Sequence, residues 1–170
     1  ITYRQGPIPL PSVPFTLEGT KTIGTNGGGA AIYKVSESLS TDENSAYATS
    51  TLEWDSYTLV VSPSETGLDI AESCTPQPVS VSPAVSLTGD LYLVPHTAHS
   101  LLVALRHATS SDLLSDATLR LYRTGVDLHA TSSSCGQAFW SGLSVGTIAG
   151  GNAYSLEISK AGFTTSVVTD

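Results

Sequence analysis

The chain has 170 residues, a net charge of −8 at neutral pH and only 13% charged residues. This acidic balance argues against nucleic-acid binding and against electrostatic attachment to an anionic membrane, because both require basic patches. No stretch approaches the ~20 apolar residues that span a bilayer, so no membrane span is expected. The hydrophobic content of 40% is sufficient for folded cores, and the length predicts one or two domains.

The chain opens with a proline-rich arm, residues 1–12 (ITYRQGPIPLPS). Proline lacks an amide donor, so the arm is expected to be extended or to form an edge strand rather than a helix. One interpretation is a simple linker. The other is a segment that completes the sheet of a neighbouring subunit by strand addition, with subunit contacts through Ile1, Tyr3, Ile8 and Leu10.

Residues 13–71 are predicted to form a first β-sandwich module. Val13, Phe15 and Leu17 occupy every second position, which is the pattern of a half-buried strand. Asn26 and the three glycines after it predict a hairpin turn, because both residue types accept positive φ. Further strands are expected at residues 31–38, at Tyr47 and Thr49, and at residues 56–62, where Pro63 ends the run.

The next segment, residues 72–88, is predicted to be a linker. It begins ESCTPQPVSVSP, and a proline-rich linker acts as a semi-rigid spacer. One of the two cysteines, Cys74, lies in this segment, and Cys135 lies in the second module. An even cysteine count in a secreted β protein predicts a disulfide, although two free thiols are the alternative. A zinc site is not expected, because the sequence has no Cys-x-x-Cys motif or close Cys/His cluster.

Residues 89–170 are predicted to form a second β-sandwich module. Turns every 8–12 residues and period-2 patterning are typical of an antiparallel sandwich, and no amphipathic helix longer than two turns is evident. The expected strands lie at residues 90–94, 100–107, 116–123, 126–131, 137–140, 152–159 and 164–169.

The two modules repeat one pattern. Residues 41–61 and 131–158 both begin with a threonine and a polar turn, and both end in a Tyr-x-Leu-x-aliphatic strand. This alignment matches Tyr57, Leu59 and Val61 with Tyr154, Leu156 and Ile158, and it matches Val13, Phe15 and Leu17 with Ala117, Leu119 and Leu121. A tandem repeat of this kind is typical of proteins with an architectural role.

Several segments resemble the carboxypeptidase regulatory-like domain, a transthyretin-like sandwich related to the Cna-B domain. The likeness covers about residues 13–168 and rests on VPFTLEGTKTIG, AIYKV and LEWDSYTLVV, and then on LLVALRHA, DATLRLYR, CGQAFWSGL and AYSLEISKAGF. The combination is similar to bacterial prepilin-like surface proteins, but the hydrophobic N-terminal helix of prepilins is missing. The resemblance implies the ectodomain of such a protein, with two tandem Greek-key β-sandwiches, transthyretin-like or Ig-like, joined by the proline-rich linker.

No catalytic, cofactor or metal site is expected. His96 and His99 could share a metal, but zinc requires three or four ligands. The acidic residues between positions 42 and 55 lack the spacing of a calcium loop. No serine lies in a Gly-x-Ser-x-Gly turn, and the glycine-rich GTNGGGA lacks the Gly-Lys-Ser/Thr ending of a phosphate loop.

The aromatic residues allow two interpretations. Exposed rings on a sandwich can stack on sugars, which makes Trp54 and Trp140 candidates for glycan contact. The competing interpretation is that both tryptophans cover the edges of the core. Tyr57 and Tyr154 hold matching repeat positions, as core or tyrosine-corner residues do.

The sequence therefore predicts a non-enzymatic, extracellular or cell-surface structural protein. We expect a subunit of a bacterial filament or pilus-like assembly that forms homo-oligomers or homopolymers through the arm and the sandwich edges. A start at Ile1 rather than Met is interpreted as a processed or truncated product. One alternative is an adhesin or carbohydrate-binding module with a glycan or host-surface ligand, and another is an accessory module of a secreted enzyme.

Overall fold

A computed structural model describes residues 2–3, 8–75, 77–144 and 153–169. The fold is all-β with several antiparallel sheets, and it divides into two compact units, unit 1 (residues 1–96) and unit 2 (residues 97–170). In the described part of the chain, no helix has the length and apolar character that crossing a membrane requires.

Unit 1 contains two four-stranded sheets and a separate hairpin. One sheet has the order β6-β3-β7-β9 and is antiparallel throughout, and the other has the order β2-β1-β10-β8. Strands β4 and β5 form the hairpin around Asn26, as predicted. The strands are β1 (Thr2–Tyr3), β2 (Ile8–Pro9), β3 (Pro14–Gly19), β4 (Thr22–Thr25), β5 (Ala31–Tyr33), β6 (Ser36–Ser40), β7 (Asp55–Val60), β8 (Leu68–Ser73), β9 (Val79–Val81) and β10 (Leu91–Pro95), and helix α1 (Pro63–Thr66) follows β7.

The core of unit 1 draws side chains from both four-stranded sheets. Phe15 and Leu17 project from β3 and Tyr57 from β7, while Leu91 and Leu93 project from β10. These residues alternate with more exposed positions, as the period-2 pattern predicts. Burial of each large apolar side chain contributes roughly 1.5–3 kcal/mol, so this cluster provides the main stabilisation of unit 1.

The boundary between the units differs from the predicted one. Strand β10 was expected to open the second module, but it pairs with β8 in unit 1, with Leu93 opposite Ile70. The expected linker, residues 72–88, includes the end of β8 and all of β9, which pairs with β7. The strand expected at Tyr47 and Thr49 is not formed.

Unit 2 contains a four-stranded antiparallel sheet, β13-β12-β15-β16, and a two-stranded sheet, β11-β14. Both sheets contribute to one core, with Leu119 and Leu121 from β12 and Ala138 and Trp140 from β14. The strands are β11 (Leu101–Ala104), β12 (Thr118–Arg123), β13 (Val126–Thr131), β14 (Gln137–Trp140), β15 (Ser155–Ser159) and β16 (Ser166–Thr169).

Two hydroxyl clasps occupy matching places in the units. In unit 1 the Thr41 hydroxyl accepts from the amide of Val13 at 2.9 Å and donates to the carbonyl of Leu10 at 3.1 Å. In unit 2 the Ser132 hydroxyl accepts from the amide of Ala117 at 2.9 Å and donates to the carbonyl of Leu114 at 2.7 Å. We call the first the Thr41 clasp and the second the Ser132 clasp.

The strand registers agree with the internal alignment of the sequence. Leu17 of β3 lies opposite Leu59 of β7, and Leu121 of β12 lies opposite Leu156 of β15. The aligned pairs, Leu17 with Leu121 and Leu59 with Leu156, therefore have the same pairing relation in each unit. The two clasps fit the same alignment, because Val13 was matched with Ala117.

Candidate functional site

The N-terminal arm extends a sheet of its own unit. Strand β1 pairs parallel with β10, with Thr2 opposite Tyr92 and Tyr3 opposite Leu93. Strand β2 then pairs antiparallel with β1 and forms the edge of the sheet. Pro9 lies in this edge strand, the type of strand in which proline is tolerated. In the described part of the arm, Thr2–Tyr3 and Ile8–Pro9 are strands, and the second of them lies at the sheet edge.

The root of the arm is fixed by the Thr41 clasp. Thr41 is buried, and its hydroxyl holds the backbone on both sides of Ser12. The Ser12 amide also donates to the Thr41 carbonyl at 3.1 Å. Ser12 has a φ of 57°, a left-handed conformation that L-residues other than glycine rarely adopt.

The four residues expected to contact a second subunit have different environments. Ile8 is 56% exposed and can reach a partner. Leu10 is half-buried and packs against the core of its own unit, and its role as a subunit contact stays a prediction. The backbone of Tyr3 pairs within the chain, and Ile1 lies outside the described residues.

The two cysteines of the chain, Cys74 and Cys135, are both disulfide-bonded, and no free cysteine is present. The disulfide expected from the even cysteine count is therefore formed. Its presence is compatible with an oxidising, extracellular compartment.

Trp54 lies on the surface of unit 1 with one face of its ring covered by a lysine. Its exposed fraction is 63%, and the Lys21 ammonium lies 3.5 Å from the ring centroid and donates to the Trp54 carbonyl. A second lysine, Lys34, forms an ion pair of 2.8 Å with Glu53, and this hydrogen bond raises the pKa of Lys34. The lysines brace the loop that presents the Trp54 ring.

A carboxylate and a tyrosine hold the other side of this loop. Asp55 accepts from the Thr20 hydroxyl at 2.7 Å and from the Lys21 amide at 3.1 Å, and the Thr20 bond is the main cause that lowers the pKa of Asp55. The buried Tyr57 donates to the Glu53 carbonyl at 3.0 Å, and burial raises the pKa of its hydroxyl. Tyr57 is therefore a core residue, as its repeat position predicted.

A groove of about 780 Å³ lies beside Trp54 in unit 1. Residues 45–50, Leu52, Trp54 and residues 81–91 line its sides, and the side chains of Phe15, Leu59 and Leu91 form an apolar base. Among the described residues, no backbone hydrogen bond joins segment 46–53 to segment 83–90. Asp90 is the only charged residue among the lining residues described.

Aromatic and hydroxyl side chains surround this groove. Tyr47 is 42% exposed and makes an edge-to-face contact with Phe15 at 5.6 Å between ring centroids. The hydroxyl-bearing lining residues are Thr41, Ser45, Thr49, Ser50, Ser82, Ser86 and Thr88. A neutral ligand with apolar faces and hydroxyl groups fits such a lining, because it needs no charge partner.

Trp140 does not have the exposed position that glycan contact requires. Its exposed fraction is 8%, and it belongs to the core of unit 2 with Ala138 and Leu121. The reason is the strand period, since residues 138 and 140 of β14 project to the same, inner side. The prediction of a glycan contact at Trp140 is therefore wrong.

His96 and His99, the two histidines considered as a metal pair, make different contacts in the structure. His96 lies 2.8 Å from the Asp69 carboxylate through Nδ1, while the backbone carbonyl of His99 accepts from the Leu143 amide. In the described part of the chain, no group of three metal-ligating side chains includes a histidine.

The chain matches no protein-family model, no curated protein and no solved structure. Two features of unit 1 are the candidates for function on their geometry, the pairing of the arm with β10 and the groove beside Trp54. The groove was missed in the sequence because its two sides come from segments about 35 residues apart. The internal alignment matched Thr41 with Thr131, one residue before Ser132, and this match was the available signal for the clasp.

Proposed function

We propose that this protein is a non-enzymatic structural subunit of an extracellular, cell-surface filament or pilus-like assembly. In this proposal each unit is an antiparallel Greek-key β-sandwich of the transthyretin-like or Ig-like type. Copies of the chain associate through the N-terminal arm and through exposed sheet edges. The disulfide of Cys74 and Cys135 suits such a location, because disulfides persist in oxidising compartments.

The observation that carries this proposal is the pairing of β1 with β10. It supports strand addition because the arm is already an extended segment hydrogen-bonded along the edge of a folded sheet. A segment that pairs with a sheet in this way can also pair with the sheet of another copy. A stable filament can then form without any cofactor or ligand.

A second, independent edge supports association between copies. Strand β16 is the outermost strand of its sheet, and Val167 and Val168 on it are 52% and 56% exposed. Exposed apolar edge strands are templates for pairing with another chain, and monomeric proteins usually block them with charges, prolines or bulges. Residues 161–169 contain no charged residue, so this edge has no such charge.

Electron microscopy of the purified protein tests the proposal. We expect filaments in the parent chain at high concentration and none in a variant that lacks residues 1–9. This deletion keeps Leu10 and Ser12, so the Thr41 clasp and the core of unit 1 stay intact. Circular dichroism of the deletion variant serves as the folding control, and filaments that persist unchanged would contradict the role of the arm.

A second candidate function is carbohydrate binding, and the groove beside Trp54 is the observation that favours it. An exposed indole ring next to a hydroxyl-lined, nearly uncharged groove is a suitable platform for a sugar ring. A glycan array tests this candidate with Trp54→Ala and with Ile23→Ala, an exposed apolar control outside the groove lining. Specific binding that only Trp54→Ala abolishes would support it, and equal signals in both variants would exclude it.

A further inference from the structure

We infer that the arm is exchangeable between copies, so that β1 of one chain occupies the place beside β10 of a second chain. This inference rests on the proposed function and names the acceptor surface, which is the backbone edge of Leu91–Pro95. The occupant is identified by the structure itself, because the chain's own residues 2–3 are seated there in parallel register.

The acceptor edge is held in place independently of the arm. Strand β10 pairs on its other side with β8, and its Leu91 and Leu93 are buried in the core of unit 1. Its open backbone groups therefore keep their direction when the arm leaves. An ordered edge of this kind is a template for any strand with the same register.

Backbone pairing holds the described residues of β1 and β2 to their own unit. Thr2 and Tyr3 of β1 pair with β10, and both residues of β2 are exposed. The described pairing of β1 with β10 is a backbone register, Thr2 with Tyr92 and Tyr3 with Leu93, and the arm of a second copy can form the same register. Exchange therefore replaces a set of contacts with an identical set.

The Thr41 clasp defines the point about which the arm can move. Leu10 and Val13 are anchored through the Thr41 hydroxyl, so only the residues before Leu10 are free to exchange. Three prolines, Pro7, Pro9 and Pro11, lie at this point, and proline favours an extended polyproline conformation. These prolines therefore favour an extended arm when it pairs with a second copy.

Exchange of this kind leads to an open chain of copies. Each copy donates an arm at one surface and accepts an arm at another, which is a heterologous contact that continues until a ring closes. The arm of the same chain competes through its high effective concentration. Exchange is therefore expected to grow with protein concentration.

Cross-linking between differently labelled chains tests the exchange. Thr2 and Tyr92 are opposite each other in the parallel register, so a Thr2→Cys chain is mixed with a Tyr92→Cys chain under oxidising conditions. We expect a disulfide-linked heterodimer on a non-reducing gel, with a yield that rises with total concentration. The control replaces Tyr92→Cys with Ala108→Cys, an exposed position in unit 2, and gives the background from random collision and thiol exchange.

A yield no higher than that of the Ala108→Cys control would overturn the exchange. A chain that carries both Thr2→Cys and Tyr92→Cys provides the second measurement, because its cross-link locks the arm onto its own unit. We expect this locked chain to form no filaments, while the Ala108→Cys chain, whose substitution lies outside the acceptor edge, still forms them. Filaments of the locked chain would overturn the exchange but leave the filament function standing. A parent chain without filaments would count against the proposed function, and the cross-link yield would then decide whether exchange occurs.

Discussion

Removal of the Thr41 hydroxyl should destabilise unit 1 by about 2–4 kcal/mol. In Thr41→Val the shape of the side chain is kept, but the Val13 amide loses its acceptor and the Leu10 carbonyl loses its donor. A buried polar group without a partner costs roughly 1–3 kcal/mol. The Leu10 carbonyl is only partly buried, so water can replace part of its bond, and we therefore expect a loss in the lower half of the summed range.

Thr41→Ser is the matched control, because it keeps the hydroxyl and removes one methyl group. Loss of that methyl group should cost about 0.8 kcal/mol, clearly less than Thr41→Val. The Ser132 clasp, in which a serine forms the same two hydrogen bonds, indicates that serine can adopt the required geometry.

Hydrogen exchange followed by mass spectrometry is the appropriate assay, because it separates the two units. A loss of 2–4 kcal/mol corresponds to roughly 30- to 1000-fold faster exchange of the most protected amides of β3 and β7. Amides of β12 and β15 in unit 2 provide the internal reference. Equal exchange rates in Thr41→Val and Thr41→Ser would refute the idea that the hydroxyl holds the root of the arm.

Three further changes have expected outcomes. Gly136→Ala should destabilise unit 2 by several kcal/mol in urea unfolding, because Gly136 has a φ of +67° and a Cβ there would lie 2.9 Å from the Leu114 backbone nitrogen. Tyr57→Phe should cost about 0.5–1.5 kcal/mol, since it removes the bond to the Glu53 carbonyl. Asp55→Asn should reduce the loss of stability on acidification. The folded-state pKa of Asp55 is depressed, so the ionised carboxylate stabilises the fold above its unfolded-state pKa. This stabilisation is lost as the pH falls through the folded-state pKa.

Each of these changes has a control or a contradicting result. Gly125→Ala isolates the conformational cost, because Gly125 also has a positive φ but a Cβ there meets nothing within 4 Å. Equal losses at the two glycines would mean that the contact with Leu114 is unimportant. A Tyr57→Phe chain as stable as the parent would show that the hydroxyl bond adds nothing. An unchanged difference between the stabilities at pH 7 and pH 3 would contradict the role assigned to Asp55.

The strands of the two cores could be predicted from the sequence because their side chains alternate strictly. Phe15 and Leu17, and then Leu119 and Leu121, are buried at every second position, and this pattern depends only on local geometry. The hairpin at Asn26 is a similar case, since its turn is closed by bonds within five residues. Local rules are sufficient for such elements.

The partners of the strands could not be predicted in the same way. The sequence indicated a strand near Leu91, but its pairing with β8, about 20 residues earlier, depends on which sheet has an open edge. The prolines around Val79–Val81 also favoured a linker, although the alternation of Val79, Ser80 and Val81 fits a short strand. Long-range pairing is decided by the whole fold rather than by the local pattern.

The environments of the two tryptophans likewise could not be predicted from the local sequence pattern. Trp140 lies in period with Ala138 on β14 and is therefore buried, whereas Trp54 precedes the first residue of β7 and remains on the surface. Residue type alone could not distinguish these environments. The stacking of Lys21 on Trp54 likewise depends on two segments that meet only in the folded unit.

The most direct test of the central claim is negative-stain electron microscopy of the parent chain and of the variant without residues 1–9, at the same concentrations. The account predicts filaments for the parent chain at high concentration. It predicts only isolated particles for the variant, whose circular dichroism should still show a folded β protein. Filaments of equal length and number in both samples, or no filaments in the parent chain at any concentration, would contradict it.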